Sequence, residues 1–178
     1  EIKNFDKFLK SINHFLNENE VTILKIRRRN LDFHARFSAK LRIYKYVIIN
    51  RLSEPVLDKN RGWHIIKKLD LVAMKKGAKL LVGTKDFSTF RASTCKAKSP
   101  IKTMKLVKIK SSKNIIEIEF RSQSFLQQQV RSMVGCLKYL GENKWSLKKY
   151  KNVIRSKNRI LCAPPAPPQG LFLKRIIY

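Results

Sequence analysis

Acidic residues are scarce in this sequence: 12 Asp and Glu stand against 40 Lys and Arg in 178 residues, a formal net charge of +28. Self-repulsion of that size is tolerable when the partner is a polyanion, and nucleic acid comes first because neutralising phosphates releases counterions. An AT-rich genome also enriches lysine at exposed sites, so the charge points to RNA or DNA without selecting a mechanism. Cysteine is rarer still. Cys95, Cys136 and Cys162 are odd in number and contain no CxxC pair, which excludes a disulfide framework and reads as reduced thiols of a cytoplasmic protein. The three histidines, His14, His34 and His64, show no metal-ligand spacing, so no metal is expected. No apolar run approaches the ~20 residues that cross a bilayer, and no signal peptide opens the chain, so no membrane association is expected. What is present is a hydrophobic content of 43%, enough for one domain or one domain plus a fragment. The chain begins inside a helical pattern without methionine, and is expected to be a piece of something longer.

Phe5, Phe8, Leu9, Ile12, Phe15 and Leu16 recur at helical spacing, predicting an amphipathic helix over Lys3–Asn17. Val21–Ile26 reads as a short strand. Phe33–Asn50, FHARFSAKLRIYKYVIIN, joins a basic loop to the most convincing strand of the chain, with Tyr44, Tyr46 and Ile48 on one face. Tyr44 then lies at the border of a core, where a phenol stacks on a planar ligand or, as is more common, simply packs. Trp63, Ile66, Leu69, Ala73 and Leu80 predict one helix of about 18 residues stopped by Gly83. Residues 83–100 read as a long basic surface loop. Met104–Lys110 and Asn114–Arg121 form a hairpin whose second strand alternates Ile116, Ile118 and Phe120 with Glu117 and Glu119.

The next helix carries an apolar stripe of Leu126, Val130, Met133, Val134 and Leu137, with Arg131 at its edge. Gly135, one turn on, is expected to clear space beside the guanidinium. Arg131 either snorkels to solvent, its stem covering apolar surface, or reaches inward and needs a carboxylate or phosphate that no neighbour in sequence supplies. Ser146–Lys157 reads as a short basic helix anchored by Leu147, Tyr150 and Ile154. The following APPAPPQG bars helix and central strand and imposes an extended connector, leading to a closing strand with Leu171, Leu173 and Ile177 on one face.

Taken together and in order, FHARFSA with RIYKYVIIN, GTKDFSTFRA, SP with a basic strand, FLQQQVRSMVG and APPAPPQGLFLKRIIY resemble the successive motifs of the tRNA pseudouridine synthase A (TruA) family over essentially the whole chain. The resemblance implies a cofactor-free isomerase that turns uridine into pseudouridine in the tRNA anticodon stem-loop, working as a homodimer. It implies an α+β fold, a mostly antiparallel sheet backed by helices, of the pseudouridine synthase type with RRM/ferredoxin-like halves. Residues 1–30 then match the tail end of the N-terminal catalytic half, and residues 31–178 the C-terminal domain. The family's nucleophilic aspartate sits in a segment like G-R-T-D-x-G-V-H. No such segment occurs in these residues, and none of Asp6, Asp32, Asp58, Asp70 or Asp86 has that context, so the chain by itself is expected to be inactive.

By the same resemblance Tyr44 is the tyrosine that stacks on the target uracil and assists proton removal. Arg131 pairs with the nucleophile's carboxylate, and Leu171 lines the uracil pocket. Two loops are expected to contact tRNA: Phe33, His34, Ala35, Arg36 and Phe37, and Thr94, Cys95, Lys96, Ala97 and Lys98, with Arg36, Lys96 and Lys98 on backbone phosphates. Position 34 is His here, where other members of the family can carry Asp. Composition alone supports a noncatalytic RNA-binding module equally well and, less strongly, a ribosome-associated structural protein. The isomerase reading demands one spatial relation: Tyr44 and Arg131 must converge on a common hollow.

Overall fold

The computed structural model describes residue 2 and residues 4–178 and divides into two compact units, Glu1–Ser38 and Ala39–Tyr178. In the first unit, helix α1 spans Phe5–Leu16 and starts where the Asn4 side chain accepts the Lys7 N–H. Lys3, in the expected helix, lies outside the described residues. Val21–Ile26 is not a strand. The Asn13 side-chain amide donates to the Ile23 carbonyl at 2.9 Å and accepts its N–H at 2.8 Å, the pair of bonds a neighbouring strand would otherwise make.

The second unit is a six-stranded sheet with helices packed on one face. Its strands are β1 (Leu41–Asn50), β2 (Trp63–Ile65), β3 (Gly83–Asp86), β4 (Ile101–Ser112), β5 (Ile115–Ser122) and β6 (Leu171–Ile177). The order is β2-β1-β5-β4-β3, with β6 also on β1; only the β1–β2 pair is parallel. One edge of β1 is shared: β6 pairs with Leu41–Tyr46 and β2 with Ile48–Asn50. The α+β architecture expected from the resemblance is therefore the one observed. Tyr44, Tyr46 and Ile48 lie opposite Phe120, Ile118 and Ile116 of β5, and this face packs under helices α2 (Leu71–Leu81), α3 (Gln129–Gly141) and α4 (Leu147–Arg155) through Met74, Met133, Leu137 and Tyr150.

Several expectations are corrected. The helix over Trp63–Leu80 begins only at Leu71, because the Asp70 carboxylate accepts the Val72 and Ala73 N–H groups at 2.8 and 2.9 Å, while Trp63–Ile65 joins the sheet. Asn50 ties the intervening chain, donating to the Ile65 and Lys67 carbonyls and accepting the Leu69 N–H. Residues 83–100 are no plain surface loop. They open with edge strand β3 and then bury Phe87, Thr89 and Phe90 completely. In α4 Tyr150 and Val153 are buried and Ile154 packs half-buried against the core, whereas Leu147 is 40% exposed. A bulge in β6 opposite Ile43/Tyr44 keeps Leu171 and Leu173 on the Tyr44 face and turns Ile177 to the other. Gly135 makes room for backbone rather than for a guanidinium: a Cβ there would lie 2.1 Å from the Pro164 carbonyl oxygen. Cys136 and Cys162, far apart in sequence, bring their sulfurs to 3.4 Å as free thiols.

Candidate active site and nucleic-acid interface

Three expected site residues meet. Tyr44 stands on β1 between β5 and β6, Leu171 begins β6 opposite Tyr46, and Arg131 rises from the first turn of α3. All three line one recess of about 290 Å³, with Phe125, Leu126, Val130 and the glutamines 127–129. That volume sits at the small end of ligand sites, roughly 300–1,000 Å³. The Tyr44 ring is half-buried and forms a T-shaped pair with the Phe125 ring, centroids 5.1 Å apart at 88°.

The turn ahead of α3 shapes the floor. Gln128 adopts φ 61°, and the buried Gln129 carboxamide oxygen accepts the Leu126 N–H at 2.7 Å, leaving its amide nitrogen buried without a hydrogen-bond partner. Gln128's left-handed backbone brings three glutamines and Phe125 round the head of the helix instead of extending it.

Arg131 is half-buried, and its Nε donates to the Ala166 carbonyl at 2.6 Å. Among the described residues it has no ion pair, and no carboxylate belongs to the recess lining. The two terminal nitrogens thus remain available as a fork for an incoming carboxylate or phosphate. Tyr46, beneath the recess, is fully buried and donates its hydroxyl to the Pro167 carbonyl at 2.7 Å. Burial pushes its phenol well above the ordinary range, although the Arg131 charge draws it down, so Tyr46 stays protonated.

The loop Thr94–Lys98 is latched to the same wall. The Thr94 hydroxyl donates to the Gln127 side-chain oxygen at 3.3 Å, Gln127 N–H points to the Cys95 sulfur at 3.5 Å, and Arg91 donates to the Cys95 and Ala97 carbonyls at 2.6 and 2.8 Å. Cys95 is thus buried and internal to the loop, while Lys96 and Lys98 are exposed. Burial acts to raise the Cys95 pKa, but the Ala97 and Gln127 N–H groups and the Arg91 charge outweigh it and hold the thiol below its usual range.

In the first unit, Phe33–Phe37 forms a tight turn around His34. The imidazole Nδ1 accepts the Arg36 and Phe37 N–H groups at 3.1 and 3.3 Å, and the ring lies 4.4 Å from that of Phe37. A carboxylate oxygen from Asp would accept the same N–H groups, so His34 fills a local capping role here. Ala35, Arg36 and Phe37 are exposed, and Phe33 is half-buried beneath the Arg29 guanidinium. Among the described residues no three His, Cys, Asp or Glu side chains gather to hold a metal ion, and no helix is long and apolar enough to cross a membrane.

Phe125, Tyr46 and the glutamine turn were not singled out as functional by the sequence reading. Phe125 and the glutamines lie within FLQQQVRSMVG, so proximity to Arg131 was the available signal. Nothing in sequence pairs Tyr46 with Pro167.

Comparison with known proteins finds relatives along the whole chain. Residues 78–178 match the sequence model of a family described as tRNA pseudouridine synthase. A tRNA pseudouridine synthase A of Pelagibacter ubique is 71% identical over 178 residues, all of this chain and 72% of the relative. The Parvibaculum lavamentivorans protein of that name is 40% identical over 173 residues, 97% of this chain and 70% of the relative. That of Methylocella silvestris is 42% identical over 166 residues, 93% of this chain and 67% of the relative. With a folded Tyr44–Arg131–Leu171 recess and this likeness along its length, the chain belongs to the tRNA pseudouridine synthase family of isomerases.

Proposed function

We propose that residues 31–178 form the domain that holds the target uridine in a tRNA pseudouridine synthase A acting on the anticodon stem-loop. Residues 1–30 are, on this reading, the tail end of the catalytic half that supplies the nucleophilic carboxylate. The observation that carries the proposal is the shared recess of Tyr44, Arg131 and Leu171. A uridine leaves its stack at a cost of a few kcal/mol, and stacking on the Tyr44 ring with Leu171 and Val130 as apolar walls offsets much of it. The N1–C1′ bond breaks and a C5–C1′ bond forms; C5 gives up its proton and N1 gains one, so the reaction is redox-neutral and consumes nothing. Tyr44 stands in the recess to take the C5 proton directly or through water. The Arg131 fork holds the incoming carboxylate ionised and aimed, the state in which it attacks.

Outside the recess, Lys96, Lys98 and Arg36 bind tRNA phosphates, with Phe33, His34, Ala35, Phe37, Thr94, Cys95 and Ala97 shaping the loops that carry them. The working form is a cytoplasmic homodimer with tRNA held between subunits. Pseudouridine formation in anticodon stem-loop RNA by the product of the intact gene, beside this 178-residue chain, tests the reading. Turnover by the former alone is expected. Turnover by the chain on its own would refute the assignment of the nucleophile to residues outside it.

A further inference from the structure

The proline-rich segment after α4 is held in an unusual way. Pro164, Pro165, Pro167 and Pro168 have no N–H, so Ala166 carries the single backbone donor of the five. Ala166 gives that N–H to the Arg131 carbonyl at 3.0 Å and receives the Arg131 Nε on its own carbonyl at 2.6 Å. One turn along α3, Gly135 lets the Pro164 carbonyl press against the helix. On the other side the buried Tyr46 hydroxyl donates to the Pro167 carbonyl at 2.7 Å, and Gly170 packs so close that a Cβ would sit 2.7 Å from the Tyr46 ring. Tyr46 does not line the recess. Its hydroxyl is one peptide unit from the carbonyl that fixes the Arg131 side chain.

We propose that Tyr46 is a positioning residue for Arg131, acting through the Pro167 and Ala166 peptide unit. The inference rests on the reading that Arg131 receives the nucleophile's carboxylate. A guanidinium anchored through Nε keeps both terminal nitrogens for its partner and loses little freedom when that partner arrives. Without the Tyr46 hydroxyl the Pro167 carbonyl loses its bond to β1 and the segment relaxes away from that strand. Arg131 then keeps its charge but loses its fixed aim, so substrate binding is spared and the chemical step slows.

The test uses Tyr46→Phe in the full-length enzyme. Single-turnover pseudouridine formation is expected to fall about tenfold, the worth of one hydrogen bond, with tRNA affinity unchanged within about twofold. In the same protein, the Arg131 Nε–Hε signal in nitrogen-15 NMR is expected to shift and exchange faster with water. An unchanged rate overturns the proposal, and so does a slowed rate with an unchanged Hε signal, because Tyr46 would then act independently of Arg131. Should Tyr46→Phe fail to fold, Ala166→Pro, which removes the N–H given to Arg131, is read the same way. Normal turnover by Arg131→Ala would instead refute the catalytic reading, while the Hε signal still decides whether Tyr46 orders Arg131.

Discussion

Replacing Gly135 by alanine inverts the usual sign of a glycine-to-alanine change in a helix. In an unobstructed helix the substitution stabilises by about 1 kcal/mol. Here the new Cβ falls 2.1 Å from the Pro164 carbonyl oxygen, with the Pro164 carbon at 3.2 Å and the Ala166 nitrogen at 3.6 Å. An ordinary C···O approach of about 3.3 Å requires the proline segment to retreat by roughly 1 Å. The obstacle is backbone pinned between prolines, which cannot swing aside as a side chain would. Overpacking of this kind costs about 1–3 kcal/mol. The same retreat stretches the two Arg131–Ala166 bonds, a backbone bond of ~1 kcal/mol and a charged one of ~1.5–3 kcal/mol. Against the helix-propensity gain, the net is a loss of about 3 kcal/mol, a fall in Tm of roughly 6–12 °C for a domain of this size. Urea unfolding at constant m measures it. A variant as stable as the parent, or more so, would show that the segment does not press on α3 at Gly135.

Arg131→Ala in the full-length protein is expected to reduce turnover at least about 100-fold while largely sparing tRNA affinity; rapid-quench pseudouridine assays beside filter binding check it, and normal turnover contradicts the role. Lys98→Ala should weaken tRNA binding and lower the salt slope of log K by about one, and an unaltered slope removes Lys98 from the phosphate contacts. Glu142 supplies a pH test. Burial raises its pKa, but Lys138 at 2.8 Å and Lys144 at 3.0 Å more than reverse that, so the folded carboxyl lies below its ordinary value. A depressed folded pKa means the contribution is complete above the unfolded value of about 4.3 and is lost as pH falls through the folded one. The stability gap between the parent and Glu142→Gln should therefore close as urea unfolding is moved from neutral pH into the acid range, and a gap independent of pH would refute the ion-pair account.

Much of the sheet was legible because alternation is a strong signal where one face is buried. Ile116, Ile118 and Phe120 are all buried and the intervening glutamates carry ion pairs to Lys45, Arg121 and Lys174. The start of α2 was misread because Trp63, Ile66 and Leu69 happen to fall at helical intervals; the cap that decides the matter, Asp70 before Leu71, was in the sequence and was outweighed by periodicity. Strand β3 was missed since GTKD, four residues on a sheet edge, has no apolar alternation to show. The bulge that turns Ile177 away from Leu171 and Leu173 depends on pairing with β1, which a one-dimensional pattern does not contain. At the site, the roles proposed for Tyr44 and Arg131 come only through family likeness, because a strand tyrosine and a helix-edge arginine are each ordinary alone. Their meeting is a product of topology, and so is the bond from Tyr46 to Pro167.

The shared edge of β1 bears on how such a molecule is made. Tyr44, Phe125 and Arg131 have all left the ribosome before Leu171 does, and until β6 arrives the backbone of Leu41–Tyr46 is a vacant sheet margin. A nascent chain waiting at that stage offers a sticky border to any passing strand, and a protease trimming the stretch from Leu171 onward would restore that hazard in a finished molecule. Completion of the Tyr44 recess and sealing of the sheet are thus one and the same step, taken only after β1 and α3 have been made.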